Sequence, residues 1–468
     1  MSTPPGSRPP HDQETGVSRR RFLTAGGTAA LAAATGCAGN RPATETVPDG
    51  SPSEPPRINR HRTLGRTGFR VSDIGMGCGM ISEPNVVRYA YDHGINLFDT
   101  AEVYGNGDSE TKIGQAMPHM ERDRIFIVTK LGIDDRPDRQ AIVERFNACL
   151  GRLATDHVDA LYMHGIAYLD LVTYEPFHAA CEQLKAEGKL KHVGISSHGP
   201  RGDEPDAMDT VLLKAVADGR FDVMLLSYGF VNKDEGERVL AACKEKNVGT
   251  TIMKSATGII EMPEFDPDNP SEQVQGWYDH LEGTGATHAE ATERIRDYME
   301  RRRPEFERSL AESRPFIERH GIRTQEELDR KSYQWVLRNP DAHTICPSLA
   351  TFEAIDRILP LSGTQLTGAG AAMLDEYASA FRSRNCRFSC SACTSACPQR
   401  LPVNTILRYA YYYQKQGRQK YAMRKYARLG GQNAAACLEC DAPCHGACPQ
   451  GVQIQDRLFE AHGLLTMV

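Results

Sequence analysis

The sequence predicts an α/β protein: a parallel (β/α)8 (TIM) barrel followed by a small cysteine-rich segment. Two observations carry this prediction. Short apolar runs alternate with helical patterns through the middle of the chain, and eight of the 14 cysteines lie in its last fifth. Strands that alternate with helices are typical of a parallel sheet closed into a barrel. The 468 residues can bury a large core, and the net charge of −6 gives no case for a nucleic-acid partner.

Residues 1–40 predict a signal peptide for the twin-arginine (Tat) export route. The pair Arg19-Arg20 precedes an Ala- and Gly-rich apolar run that ends near Gly36. The run has about 15 residues, fewer than the ~20 of a membrane-spanning helix, so we expect a signal peptide and a periplasmic protein. A chance arginine cluster is the alternative. Cys37 stands in a sequence that resembles a lipobox, which would add a lipid anchor; ordinary cleavage nearby is the alternative. We expect no other membrane attachment.

Residues 41–60, rich in Pro, Ser, Thr and Glu, predict a disordered linker, and we expect the barrel over residues 61–375. A doubly wound sheet would also alternate strands with helices. Such a sheet usually carries a G-x-G-x-x-G loop after its first strand, and residues 75–79 do not have this pattern. Helices are predicted to end at Gly94 and Gly188. The eight predicted strands are Ile74–Cys78, Asn96–Asp99, Ile125–Val128, Ala160–Met163, His192–Ile195, Val223–Leu226, Thr250–Met253 and His343–Cys346.

Two charged regions fall outside this alternation. Residues 259–330 form an insertion between the seventh and eighth strands, which predicts either a lid over the barrel mouth or a solvated helical decoration. The segment from Arg400 to Arg428 contains basic residues and tyrosines but no acidic residue. We expect a solvated helix there. A dock for an acidic redox partner is the alternative, and we expect no nucleic acid, which would be out of place in an exported protein.

Four polar residues stand at or just past predicted strand exits: Asp99, Tyr104, Lys130 and His164. The C-terminal strand ends of a (β/α)8 barrel face one mouth, where catalysis takes place, so we expect these side chains to converge. Each has an ordinary explanation when taken singly, as a helix cap, a packed phenol, a solvated lysine and a core histidine. Their common position at strand exits favours a catalytic site.

The cysteines at the end of the chain predict two [4Fe–4S] clusters in a domain over residues 376–468. The first group is Cys386, Cys390, Cys393 and Cys397, and the second is Cys437, Cys440, Cys444 and Cys448. Each group ends in Cys-Pro and has one residue more than the bacterial C-x2-C-x2-C-x3-C-P pattern. As in two-cluster ferredoxins, we expect Cys397 to complete the second group and Cys448 the first. Zinc and disulfides are the alternatives.

At the strand exits the chain resembles the aldo-keto reductase family. The matching stretches are residues 62–68, 98–105, 129–130, 150–153 with Asp156, Asp159 and 161–164, and 188–189 with 193–196. The resemblance implies that Tyr104 donates a proton to a substrate carbonyl, and that Lys130 supplies the cation that stabilises the phenolate. A tyrosine with a pKa near ~10 is otherwise a poor acid at neutral pH. It also implies that Asp99 holds Lys130 in place and that His164 orients the substrate oxygen.

The resemblance also implies an NAD(P) site. The residues implied are Ser196 and Ser197 at the carboxamide, Tyr228 stacked on the nicotinamide, Lys254 and Ser255 in a pyrophosphate loop, and Ser348 near the 2′-phosphate. Leu225 replaces a common Gln, and Ala350 and Ile358 stand where the family has a basic residue and an Asn. A preference for NADP is therefore unsupported.

Together these features predict an exported oxidoreductase that couples carbonyl or alcohol chemistry to two [4Fe–4S] clusters. With the cysteine-rich tail, the chain looks most like the iron–sulfur branch of the family, in which a small all-α ferredoxin-like module follows the barrel. The expected partners are a small carbonyl or alcohol substrate and a redox protein. An electron-transfer or assembly protein with a catalytically idle barrel is the alternative.

Overall fold

The structure, a computed structural model, describes residues 55–199, 205–256, 265–283, 285–384, 386–387, 390–415, 419–437 and 440–466. The predicted signal peptide, Cys37 and most of the predicted linker lie outside these residues. The last part of that linker is described and packs on the barrel. The Asn59 backbone N–H donates to Ser362 Oγ at 2.8 Å, and the Ile58 N–H donates to the His93 carbonyl at 3.0 Å. The prediction of a disordered linker is therefore wrong at this end.

The barrel begins with a hairpin that the sequence analysis did not predict. Strands β1 (His61–Thr63) and β2 (Arg70–Ser72) pair antiparallel around a turn that contains Gly65, which has φ of 50°. Any side chain at Gly65 would clash with the backbone of Gly249, so the turn lies directly against the start of a barrel strand. Leu64 packs with Leu97, Phe126 and other residues from the strand starts. The hairpin therefore closes the N-terminal end of the barrel.

Eight parallel strands form the barrel, as predicted. They are β3 (Met76–Gly77), β4 (Leu97–Asp99), β5 (Phe126–Leu131), β6 (Val158–Met163), β7 (Leu190–Ser197), β8 (Val223–Ser227), β9 (Gly249–Met253) and β10 (Thr344–Ile345). They are hydrogen-bonded in sequence order. Parallel bridges from Ile74 to Ile345 and from Gly77 to Ser348 join the first strand to the last and close the sheet. Every strand exit therefore lies at the same end.

Helices cover the outside of the sheet. Between β3 and β9 they are α1 (Pro84–Asp92), α2 (Asp108–Ala116), α3 (Arg139–Leu153), α4 (Leu169–Val172), α5 (Glu175–Ala186), α6 (Met208–Asp218) and α7 (Lys233–Glu245). The Asp138 carboxylate caps α3 by accepting from the Ala141 N–H at 2.9 Å. The predicted ends of α1 and α5 are confirmed, because Gly94 and Gly188 follow those helices with positive φ.

The charged insertion is helical and is not a solvated decoration. It forms α8 (Glu272–Gly283), α9 (His288–His320) and α10 (Gln325–Leu337). Trp277 of α8 is buried, and its ring lies 6.2 Å from that of Tyr413, near the C-terminus of the chain. Farther along, Phe316 of α9 belongs to the core of the barrel. Helix α9 therefore joins the barrel core to a second core at the C-terminal end.

That second core belongs to the C-terminal module. The remaining helices are α11 (Phe352–Ile358), α12 (Gly368–Ala380), α13 (Val403–Lys415), α14 (Gln419–Ala427), α15 (Cys444–Ala447) and α16 (Ile454–Thr466). Helix α12 and Phe381 pack in the barrel core, so the module begins after them and not at residue 376. The prediction of a solvated helix between Arg400 and Arg428 is wrong, because Ile406 and Tyr413 of α13 are buried. Within the described residues no helix has the length and apolarity needed to cross a membrane.

Candidate active site and cysteine groups

The four predicted catalytic residues come together at the barrel mouth. Asp99 is the last residue of β4, Lys130 lies near the end of β5, and His164 directly follows β6. These three strands are neighbours in the sheet. Tyr104 begins a short 3-10 turn, Tyr104–Gly107, that follows β4. The alternation of strands and helices thus brings together side chains that are up to 65 positions apart, since His164 minus Asp99 is 65.

Lys130 is the centre of this constellation. Its side chain is fully buried, and its ammonium donates to the Asp99 carboxylate and to the Thr100 carbonyl, the latter at 2.7 Å. The same nitrogen lies 5.0 Å from the centroid of the Tyr104 ring. The His164 ring stands edge-on to Tyr104, with centroids 5.7 Å apart and planes at 84°. A buried cation is therefore held beside a phenol that faces an imidazole.

The charges at the mouth are set by burial and by one ion pair. Burial by itself would lower the pKa of Lys130, but Asp99 and Tyr104 outweigh it, and the Lys130 pKa is raised. Lys130 therefore remains protonated across the physiological pH range. Burial raises the pKa of Asp99, and Lys130 opposes that rise. A cation next to a phenol favours the phenolate over the phenol.

His198 is a residue of the mouth that the sequence analysis missed. It directly follows β7, and its ring centroid lies 6.3 Å from that of His164. A guanidinium from the C-terminal module, that of Arg408, donates to the His198 carbonyl at 3.0 Å. The position of His198 after a strand was a usable signal, but no sequence pattern connects it with a residue 210 positions away.

The residues predicted to hold a nucleotide are less favourably placed. Ser196 and Ser197 are fully buried, and the Ser196 hydroxyl oxygen accepts from the Gly165 N–H at 2.8 Å. Tyr228 is only 2% exposed and packs against Trp335 with ring centroids 5.1 Å apart. Its ring therefore has no open face for a nicotinamide. The physical reason is that Tyr228 lies one residue beyond β8 and turns toward the outer helices, where its hydroxyl accepts from Asn339 at 3.0 Å.

The predicted pyrophosphate loop lies under the C-terminal module. Lys254 has φ of 58°, and its ammonium lies 5.5 Å from the centroid of Tyr412 in α13. A cavity of about 140 Å³ separates Lys254 and Ser255 from α13 and also reaches Cys386. Typical ligand pockets have about 300–1,000 Å³, so this cavity is too small for a dinucleotide. Ser348, in contrast, is exposed.

Within the described residues, the eight cysteines of the module form no disulfide. Burial and then Cys393, Cys390 and Cys448 raise the pKa of Cys386. Burial and then Cys397, Cys440 and Cys444 raise the pKa of Cys437 to about 11. The thiols that act on Cys386 and on Cys437 are thus, in each case, from one sequence motif plus the last cysteine of the other. Cys444 also interacts with Cys393 and Cys448, and the ligand assignment stays a prediction.

The two cysteine loops are built alike. Each Cys-Pro is followed, six residues after the Pro, by an amide side chain in the first turn of a helix, Asn404 in α13 and Gln455 in α16. Asn404 Nδ2 donates to the carbonyls of Arg387 and Cys390 at 2.7 and 3.1 Å. Gln455 Nε2 donates to the carbonyls of Cys437 and Cys440 at 2.8 and 2.6 Å. This repeat was not predicted above, although the equal spacing from each Cys-Pro is visible in the sequence.

The last cysteine of each motif also has equivalent surroundings. The Leu401 N–H donates to Cys397 Sγ, and the Val452 N–H donates to Cys448 Sγ, both at 3.4 Å. Within the described parts of the chain, no three His, Cys, Asp or Glu side chains lie close enough together to hold one metal ion. The two cysteine motifs therefore share their amide supports and their N–H···S bonds.

The comparisons with known proteins match most of the barrel region. Residues 82–378 match the aldo/keto reductase family. The chain is 32% identical to L-galactose dehydrogenase of Arabidopsis thaliana over 234 residues, which cover 45% of this chain and 70% of that protein. It is 28% identical to probable aldo-keto reductase 1 of Glycine max over 261 residues, 48% of this chain and 72% of that protein.

Solved structures are similar over about two thirds of this chain. The holo form of aldo-keto reductase AKR11C1 from Bacillus halodurans has a TM-score of 0.47 and 20% identity, and the match covers 68% of this chain and 95% of that one. An aldo-keto reductase of Klebsiella pneumoniae in complex with NADPH has a TM-score of 0.45, with the same identity and coverage. From its family match, this chain is an oxidoreductase that belongs to the aldo/keto reductase family.

Proposed function

We propose that the chain is an exported oxidoreductase that interconverts a carbonyl and an alcohol and exchanges electrons through two [4Fe–4S] clusters. The observation that carries the catalytic part is the convergence of Asp99, Tyr104, Lys130 and His164 at one mouth. Reduction of a carbonyl adds two electrons and two protons. The tetrad provides the proton on oxygen, the module would supply the two electrons one at a time, and water would supply the proton on carbon.

The role of each mouth residue follows from its surroundings. Tyr104 gives its proton to the carbonyl oxygen, because the ammonium 5.0 Å from its ring stabilises the phenolate that is left. Asp99 keeps Lys130 charged and fixed inside the barrel. His164, edge-on to Tyr104, orients the substrate oxygen by donating a hydrogen bond. The reverse reaction uses the same groups in the opposite sense.

The thiol groups support the cluster proposal. The supporting observations are the two Cys-Pro motifs of four cysteines each, and the matched amide and N–H···S contacts of the two loops. The ligands proposed are Cys386, Cys390, Cys393 and Cys448 for one cluster, and Cys397, Cys437, Cys440 and Cys444 for the other. Such clusters carry single electrons, and N–H···S bonds tune their potentials.

A nicotinamide nucleotide is proposed as a second redox reactant, since relatives in the family include a protein in complex with NADPH. When bound, it supplies or accepts hydride. The region around the predicted pyrophosphate loop does not fit a dinucleotide as it stands, because α13 lies beside Lys254 and the cavity between them has about 140 Å³. Binding would require α13 to move, and we derive no step through the nucleotide.

The position of α13 beside Lys254 favours a second candidate function. In this alternative, the chain is an electron-transfer or assembly protein whose barrel is catalytically idle. Nucleotide titration of the anaerobically purified protein separates the two. Saturable binding of NADH or NADPH with a change in cluster absorbance supports the enzyme. Absence of binding, together with absence of aldehyde turnover by chemically reduced protein, supports the idle barrel.

Export and anchoring are also proposed. The supporting features are the arginine pair before the apolar run and the lipobox-like sequence that ends at Cys37. Replacement of both Arg19 and Arg20 by Lys is expected to leave the precursor in the cytoplasm. Cys37→Ala is expected to release the exported protein from the membrane fraction. Unchanged delivery of the double-Lys variant would refute the export proposal.

The catalytic proposal is tested by Tyr104→Phe with an aromatic aldehyde such as 4-nitrobenzaldehyde. The variant keeps the ring and loses the proton donor, so turnover is expected to fall on the order of 10²-fold or more. Tyr89→Phe is the matched control, because its hydroxyl donates to Asp356 at 2.7 Å on the outside of the barrel. Full activity of Tyr104→Phe would show that the barrel does not use this mechanism.

A further inference from the structure

One buried cation joins the C-terminal module to the barrel mouth. Arg408 of α13 is only 4% exposed, although Arg is usually a surface residue. Its Nη1 donates to the His198 carbonyl at 3.0 Å, and its Nη2 donates to Thr405 Oγ1 at 3.4 Å. A planar guanidinium directs its donors in fixed directions, so this contact sets the position of α13 relative to the end of β7.

The same helix holds the first cysteine loop. Asn404 precedes Arg408 by four residues, and residues four apart in a helix lie on the same face about 5–6 Å apart. The Asn404 amide donates to the carbonyls of Arg387 and Cys390. One helical turn of α13 therefore separates the support of the cysteine loop from the contact with the barrel mouth.

The contact with His198 reaches the tetrad through packed rings. The His198 ring lies 6.3 Å from that of His164, and the His164 ring lies 5.7 Å from that of Tyr104. A shift of the His198 backbone would move the His198 ring and change the space around the His164 ring. Displacements of about 1 Å far from the reacting atoms can lower catalysis by about 10²-fold.

We infer that Arg408 is a positioning residue of the active site. It fixes His198 against His164 and keeps the first cysteine group one helical turn from the mouth, so that barrel and module form one functional site. This inference rests on the proposed function. It assigns to Arg408 no contact with substrate and no ligation of a cluster.

The test compares Arg408→Ala and Arg408→Lys with Arg424→Ala, in which an exposed arginine of the neighbouring helix α14 is removed. All are made in the full chain, loaded with iron anaerobically and assayed with 4-nitrobenzaldehyde. For Arg408→Ala we expect kcat to fall on the order of 10-fold, as for loss of a charge-assisted hydrogen bond. Iron content is expected to stay at the wild-type level. Arg408→Lys should recover part of kcat, and Arg424→Ala should match the wild type.

A spectroscopic measurement adds a readout that does not depend on turnover. In the wild type, addition of the aldehyde should change the electron paramagnetic resonance spectrum of the reduced protein, because mouth and cysteine loop are joined by α13. That change should be lost in Arg408→Ala and kept in Arg424→Ala. Hydrogen exchange at residues 195–199 should rise in Arg408→Ala only.

Three outcomes overturn the inference. If Arg408→Ala retains wild-type kcat and the spectral change, the contact does not position the site. If Arg408→Ala loses iron, the residue supports the cysteine loop instead. Tyr104→Phe is assayed in parallel, so that failure of the inference about Arg408 can be distinguished from failure of the proposed function. Full activity of Tyr104→Phe rejects the function and the inference together, whereas loss in Tyr104→Phe with none in Arg408→Ala rejects the inference alone.

Discussion

The barrel mouth and the cysteine-rich module solve the burial of reactive groups in different ways. At the mouth, a fully buried lysine meets a buried carboxylate, and the two opposite charges compensate each other. In the module, burial and then the neighbouring thiols raise the pKa of Cys386 and of Cys437. Neutral thiols are therefore favoured there unless a metal displaces their protons.

This difference shows which site the protein can form by itself. The tetrad is held by strands β4, β5 and β6 and by hydrogen bonds within the chain, so it is complete in the folded barrel. The cysteine loops are held by Asn404 and Gln455, and under the cluster proposal bound iron would supply most of the positive charge beside their thiols. We therefore expect the barrel to fold without a cofactor and the module to depend on its clusters.

The largest expected effect comes from removal of iron. The two tryptophans report the two regions separately, since Trp277 packs in the module core and Trp335 in the barrel core. Trp277→Phe and Trp335→Phe variants each leave one reporter. After anaerobic chelation, the urea midpoint reported by Trp277 should fall steeply, because cluster binding supplies part of the folding free energy. The midpoint reported by Trp335 should stay nearly constant; a joint fall would show one cooperative unit.

The grouping of the thiols sharpens the comparison. Cys397→Ser should remove the same cluster as Cys437→Ser, although Cys397 belongs to the first sequence motif. Each variant is expected to retain about four of eight irons. Spectra of the two variants should match each other and differ from that of Cys393→Ser. A match between Cys397→Ser and Cys393→Ser would mean that each motif binds its own cluster.

At the mouth, Lys130→Met should act on both stability and turnover. Removal of the lysine leaves the Asp99 carboxylate buried without its cation, which costs about 3–5 kcal/mol of unfolding free energy. Turnover should also fall by about 10²-fold or more, as for Tyr104→Phe, and the two losses should not add. The double variant Asp99→Asn, Lys130→Met should regain stability but not activity. Equal stability of the single and double variants would show that the ion pair does not set the stability of the barrel.

The smallest effect is an acid sensitivity of the barrel. His343, just before β10, accepts from the Thr250 N–H at 3.0 Å, and burial lowers its pKa to about 4. Because this pKa is below the unfolded value of about 6.5, the stabilisation is complete above pH 6.5 and is lost as pH falls toward 4. The free energy of unfolding should change by about 1.4 kcal/mol per pH unit at most. His343→Gln should reduce it, as followed by Trp335, whereas the exposed His119→Gln should not.

The sequence by itself determined the positions of the barrel strands and the chemistry of both sites. Apolar runs that alternate with helices fix the strands, and strand exits share one mouth, so the convergence of Asp99, Lys130 and His164 followed from topology alone. Cysteine spacing likewise indicated two sets of ligands, because ligand groups in loops are local in sequence.

Only the tertiary structure decided where the remaining parts meet. The direction of Tyr228 depends on packing against Trp335, and the burial of α13 depends on a core shared with the insertion. The contact of Arg408 with His198 joins residues 210 positions apart. Such contacts arise from the docking of whole elements, whose free energy is spread over many side chains, so no local pattern of residue types encodes them.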